Sequence, residues 1–123
     1  MIDSSAEIGR IFASAMQAVT AAGQPVPVFL AEAETDTYPY VVYDLSAAPV
    51  MTKDGQAGIS AELTVTVISD GFDTASDVAG KAETLLKTAY AAAGMGAYPQ
   101  RMNPSCIGGV WEISSVWNIR KDQ

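Results

Sequence analysis

Histidine is absent from this 123-residue chain, and cysteine occurs once, as Cys106. The first absence removes the side chain most used for proton transfer near neutral pH and a leading transition-metal ligand. The second excludes an intrachain disulfide framework and a thiolate zinc cluster, and it fits a reducing cytoplasm or a particle assembled there. Cys106 itself is expected to be a buried free thiol. Basic residues are scarce too: seven Lys and Arg stand against fourteen Asp and Glu, a net charge of -7. Binding nucleic acid through phosphate contacts needs clustered Lys and Arg, so sequence-specific nucleic-acid recognition is not expected. A protein that surrounds DNA without gripping it remains compatible with this charge. No apolar run approaches the roughly 20 residues that span a bilayer, and Met1-Ile2-Asp3-Ser4 lacks the positive start of a signal peptide. The expectation is a soluble, non-exported protein with no membrane partner.

What is present favours a packed domain. Hydrophobic residues make up 49% of the chain and charged ones 17%, which excludes the disordered and collagen-like classes. A chain of this length hides roughly two thirds of its unfolded surface around one core. With no repeat, linker or composition break, residues 1–123 read as a single domain.

Ser4 followed by Glu7 has the form of a capping box, and Ile8, Ile11, Phe12, Ala15, Met16 and Val19 recur at helical spacing, so a helix is expected from Ser5 to Ala22, stopped by Gly23 and Pro25. Pro25 and Pro27 favour extended backbone, making Val28-Phe29-Leu30 a short edge strand. Tyr40 to Leu45 is a β-branched and aromatic strand. Ser46 to Gly58 then reads as a longer connection with an Asp54-Gly55 turn. The clearest strand is Ile59 to Ser69, where Ile59, Ala61, Leu63, Val65 and Val67 alternate with Ser60, Glu62, Thr64 and Thr66. After Asp70-Gly71 the period becomes helical: Asp73 or Thr74 is the expected cap, Ala75, Val78, Ala82, Leu85 and Ala89 share a stripe, Ala79, Leu86 and Ala93 widen it, and Gly94 and Gly96 end the helix. Tyr98 to Met102 is a short strand, Asn103-Pro104-Ser105 a turn, and the last strand runs through Arg120 with Trp111, Ile113, Trp117 and Ile119 on one face. The resulting fold class is α+β: two helices packed on a mainly antiparallel sheet of four to five strands, in two layers.

Chemistry is hard to assemble from these residues. A serine or Cys106 nucleophile lacks an activating base in any recognisable motif. Gly108-Gly109 lacks the Lys-Ser/Thr ending of a phosphate loop and runs into a strand, so it reads as a turn or bulge. No calcium-loop or zinc pattern occurs, and neither a cofactor nor a metal is expected. Glu32, Glu34 and Asp36 alternate, which in an extended chain would place three carboxylates on one side, although the run reads more simply as a solvated loop. The chain is therefore expected to be no enzyme. Trp111, Trp117 and the tyrosines Tyr38, Tyr40 and Tyr43 suit core or interface anchors, while a small ligand-binding or regulatory domain with an aromatic-lined pocket stays open as the alternative.

The order of elements, with Tyr38-Pro39-Tyr40-Val41-Val42-Tyr43, then Glu62-Leu63-Thr64-Val65-Thr66-Val67 leading into the Ala-rich segment Asp73 to Leu86, resembles the tail-completion and tail-terminator family of long-tailed phages over nearly the whole chain. The resemblance implies a structural virion protein, with no catalytic residues to carry over, that caps the tail tube, usually as a hexameric ring of identical subunits. It also implies tail-tube and head-connector partners, a place in the virion tail, and assembly in the host bacterial cytoplasm; a prophage copy would look the same. Within that frame, Val50, Met51, Lys53 and Asp54 are candidate subunit-contact residues on an arm spanning Ser46 to Gly58. Glu32, Glu34 and Asp36 are candidate lumen-facing acids, where like charge would keep passing DNA from sticking.

Overall fold

The structure, a computed structural model, describes the backbone of residues 2–33, 35, 37–52 and 55–122, and the side chains of 6–33, 35, 37–47, 55, 58–100 and 102–121. In chain order the elements are α1 (Ile2–Met16), β1 (Thr20–Ala21), β2 (Gln24–Pro25), β3 (Val28–Leu30), β4 (Tyr40–Thr52), β5 (Gly55–Ser69), α2 (Phe72–Ala92), β6 (Gly96–Ile107) and β7 (Val110–Asp122). The main sheet has five strands in the order β3-β4-β5-β7-β6, and β1 and β2 form a separate two-stranded ribbon. The α+β expectation of two helices against a sheet agrees with this arrangement. The strands outnumber the four to five expected, and the main sheet is mixed, because β3 pairs parallel to β4 while β4, β5, β7 and β6 pair antiparallel.

Alternation along β5 sets the layers. Ile59, Ala61, Leu63, Val65, Val67 and Ser69 are buried on one side, and the intervening Ser60 and Glu62 are exposed. β7 repeats the pattern with Ile113, Ser115, Trp117 and Ile119 buried. Trp117 lies opposite Leu63, and its indole Nε1 donates to Ser115 Oγ at 3.2 Å. Both helices cover this face: α1 supplies Ile8, Phe12 and Met16, and α2 supplies Ala75, Val78, Ala82, Leu86 and Tyr90. Each large buried side chain contributes about 1.5–3 kcal/mol by leaving water.

Several boundaries differ from expectation for local reasons. α1 begins at Ile2, so Ser4 lies inside it and not at its cap position, and the Glu7 carboxylate pairs with Lys121 Nζ at 2.9 Å. The helix ends at Met16, not Ala22, and the ribbon follows: Thr20 faces Pro25, Ala21 faces Gln24, and Ala22 and Gly23 both take positive φ, 53° and 78°. That is the geometry of a two-residue hairpin turn. Val19, now beyond the helix, is still buried in the core. Gly71, not Asp73 or Thr74, occupies the cap position of α2, and the Gly71 N–H donates to Ser69 Oγ at 3.3 Å. At the other end Gly94 has φ 75°, the left-handed turn that lets Met95 N–H reach the Tyr90 carbonyl at 2.9 Å.

Ser46 to Gly58 is no loop. β4 and β5 stay paired to a closing Thr52–Gly55 rung, with a bulge between Val50 and Met51. Small, weakly β-forming residues are carried into the ladder because β7 holds the other side of β5 as far as Gly58. Pro49 is tolerated because Val41 N–H points to the Pro27 carbonyl on the outer edge, and by alternation so does the backbone nitrogen of Pro49, where no rung is lost. β6 likewise runs straight through Asn103-Pro104-Ser105, with an irregularity between Pro99 and Arg101, since an edge strand pairs on one side only. The turn lies at Gly108 and Gly109, φ 61° and 82°. β3 is the edge strand expected of Val28 to Leu30.

Tyr90 ties the two helices together: its buried hydroxyl donates to the Ile8 carbonyl at 2.9 Å. Burial, with a smaller contribution from nearby Tyr43, pushes its phenol well above the ordinary value of 10.0. A raised folded value favours the neutral form, so this stabilisation is complete below about pH 10 and is lost as pH rises toward the folded value. Tyr90→Phe should cost about 1 kcal/mol at pH 7. Urea unfolding from pH 8 to 11 should show the wild type losing stability above pH 10 more steeply than the variant; parallel curves would contradict the assignment.

Candidate functional site

Three surfaces remain once the core is assembled. The first is the outer end of the β4–β5 hairpin, which runs on past Ile59, the core residue of β5 nearest that end among the described residues. Val50 and Met51 lie there on β4 at the bulge, while Lys53 and Asp54 fall outside the described residues. Gly55 is the first residue of β5.

The second is the sheet face opposite the helices. Asp44, Glu62, Glu112 and Asn118 are exposed on it, and Val42, Thr64, Ile68 and Val116 are half-buried between them. Thr66 Oγ1 and Ser114 Oγ share a hydrogen bond of 3.1 Å across β5 and β7. At one margin Tyr40 stacks on Tyr38 (ring centroids 5.9 Å, planes 12° apart) and meets Phe29 edge-on at 6.4 Å. The tyrosines are split as their spacing implies: Tyr43 points to the helices and packs on Phe12 at 4.2 Å, whereas Tyr38 is exposed.

The third is an open groove of about 680 Å³ between the β1–β2 ribbon and the start of α2, bordered by Pro25, Val26, Pro27, Tyr38, Asp70, Asp73 and Asp77. Sequence reasoning missed it. The signal was available as Asp70, Asp73 and Asp77, three and four residues apart where a helix begins, but their opposing wall depends on the ribbon, whose first strand falls inside the expected Ser5 to Ala22 helix.

The acidic trio Glu32, Glu34 and Asp36 would face one side only if its segment were extended rather than a solvated loop. Glu32 is exposed, but Ala31 takes φ 65° and Glu32 N–H turns back to the Leu30 carbonyl at 2.7 Å, so simple alternation does not hold there. Thr37 N–H donates to Thr35 Oγ1 at 3.1 Å, a second local turn; Glu34 and Asp36 lie outside the described residues. Trp117 is core, and Trp111 is half-buried edge-on to Phe72 at 4.9 Å. Neither indole borders the cavities found among the described residues. Among those residues no group of three His, Cys, Asp or Glu is placed to hold a metal ion, and no helix is long and apolar enough to cross a membrane.

No family model matches the chain, and no curated protein does. Among solved structures it is similar to a chain in the virion of a native gene transfer agent particle, with a TM-score of 0.60 and 16% identity, over 97% of this chain and 92% of that one. The two share a fold. At such identity the likeness carries architecture and not individual residues.

Cys106 corrects the expected burial: it is exposed. It sits on edge strand β6 opposite Trp111, two rungs from the Gly108–Gly109 turn, where the neighbouring Pro104, Ser105 and Ile107 are also exposed. A thiol reagent should therefore titrate one thiol per chain within minutes in native buffer, at a rate little changed by urea. Reaction only on unfolding of the monomer would contradict this placement.

Proposed function

We propose that this chain is a structural protein of a phage or phage-like virion, and within it a tail-terminator or tail-completion subunit at the head-proximal end of the tail tube. The observation that carries the reading is the match to a gene transfer agent virion chain over 97% of this one. The element order that resembles the tail-completion family adds the finer position. In this reading the protein is no enzyme and takes no cofactor. Its partners are further copies of itself in a ring, usually hexameric in the family it resembles, together with a tail-tube protein and a head connector. It is assembled in the host bacterial cytoplasm and ends in the virion tail.

The long β4–β5 hairpin supports the arm role for Val50, Met51, Lys53 and Asp54, and the uncovered sheet face offers a second area for subunit contact. Exposed Glu32, with Glu34 and Asp36, gives the β3–β4 connection an acidic character suited to a lumen through which DNA passes. The rival reading, an aromatic-lined ligand pocket, draws no support from the indoles, because Trp117 is packed in the core.

Removing the gene from its phage or prophage and imaging induced particles should give tails of uneven length detached from filled heads. Normal, joined particles would overturn the reading. Complementation then tests the arm: a variant with residues 49–57 replaced by a short turn should fold, with a Tm within about 5 °C of wild type if the core ends at Ile59, yet restore few joined particles. Full restoration would count against the hairpin as a contact.

A further inference from the structure

We infer that the exposed apolar margin around Phe72 and Trp111 receives the tip of the β4–β5 hairpin of a second copy of this chain, so that one copy's arm seats on the far end of the next. The inference rests on the reading of that hairpin as a subunit-contact arm and names its receptor. The margin lies on the helix side of the sheet, beside the first turn of α2. Phe72 and Met102 are 43% and 42% exposed, Pro104 and Cys106 are exposed, and half-buried Trp111 meets Phe72 edge-on at 4.9 Å. Cys106 lies opposite Trp111, Pro104 opposite Ile113 and Met102 opposite Ser115, so these β6 residues continue the core face of β7 beyond the cover of the helices.

Two features set this margin apart from an ordinary wet edge. From Met102 to Gly109 every residue is exposed and none is charged, although charged side chains ordinarily keep an exposed edge from partners. The backbone, by contrast, is guarded. The Gly108–Gly109 turn closes on the Ile107–Val110 rung, so by alternation Ser105 and Asn103 bond β7, while Met102, Pro104 and Cys106 turn their backbone groups outward. Pro104 has no N–H to give there, which interrupts any strand added along this edge. The margin is open to side chains and closed to strand addition, and that selects a compact apolar tip over an extended peptide.

The chain carries such a tip. Beyond Ile59 the hairpin continues from Gly58 to Gly55 on β5, about 13 Å further, with Pro49-Val50-Met51 on the facing strand. It does not reach the margin of its own subunit. Met51 pairs with Gln56 and Trp111 with Ser69, and Gln56 and Ser69 lie about 40 Å apart along β5. A tip seated on the margin therefore belongs to another copy. Charge agrees with the match, since Lys53 lies close behind Met51 at the tip and Asp73 directly follows Phe72. The contact joins unlike ends of identical chains, which is the heterologous kind that a ring requires.

The test is disulfide trapping, with native Cys106 as the reporter. The Met51→Cys chain, oxidised with copper phenanthroline at millimolar protein, should give a ladder of disulfide-linked multimers. It should form about tenfold faster than from Thr88→Cys, an exposed position on α2, because a seated tip raises the local thiol concentration. Phe72→Ser added to Met51→Cys should remove the advantage. Met102→Lys, an exposed change on the edge strand, should do the same and covers the case in which the Phe72 variant folds poorly. Equal rates for Met51→Cys and Thr88→Cys, a rate unchanged in the folded margin variants, or products that stop at a dimer would each overturn the inference. If the arm-replaced variant loses joined particles while no ladder forms, the arm remains a contact and this receptor is wrong. If that variant restores them, the arm reading itself fails.

Discussion

The fold depends on the register of β5, which is paired on both sides and buried on one face. A slip of one residue would turn Glu62, Thr64 and Thr66 toward the helices and Leu63, Val65 and Val67 toward water. With that register held, β7 is placed so that Trp117 meets Leu63 and Ile113 meets Val67, and β4 so that Val41 also meets Val67. Ser69, the last inward residue, is polar and buried, and its hydroxyl accepts the Gly71 N–H. The end of the central strand is thereby joined to the start of α2 without an orphaned polar group.

The helical layer follows from size. Ala75, Ala79 and Ala82 leave room for α2 to lie close to the sheet, and Tyr90 fills the far end, where its hydroxyl reaches the carbonyl of Ile8 on α1. The Glu7–Lys121 pair joins α1 to the last strand, but both side chains are about one third exposed, so its contribution stays at or below about 1 kcal/mol. Packing, not charge, holds the two layers together.

The hairpin and the groove lie at opposite ends of the sheet. The hairpin tip is where β4 ends and β5 begins; the groove is where β4 begins and β5 ends. Contacts between such unlike ends of identical subunits are heterologous, and those close into rings or run on as filaments. The outer sheet face, polar at Asp44, Glu62 and Glu112 and half-buried at Val42 and Val116, separates the two.

The sequence by itself determined the elements that carry a strong period: the β5 alternation, the β7 face with Trp117 and Ile119, the apolar stripe of α2 and the edge position of Val28 to Leu30. In each, one repeating face must be buried, and that requirement is local. Tertiary structure decided the rest. Thr20 to Pro25 forms a ribbon, Ser46 to Gly58 continues a hairpin and Asn103 to Ser105 stays in a strand, because a paired neighbour supplies hydrogen bonds that propensity cannot foresee. Cys106 is exposed because the partners around it end, and the Asp70–Asp73–Asp77 row became a groove wall only when the ribbon was placed across from it. Periodicity reports which side of an element is buried, whereas pairing and cover depend on residues far away in the chain.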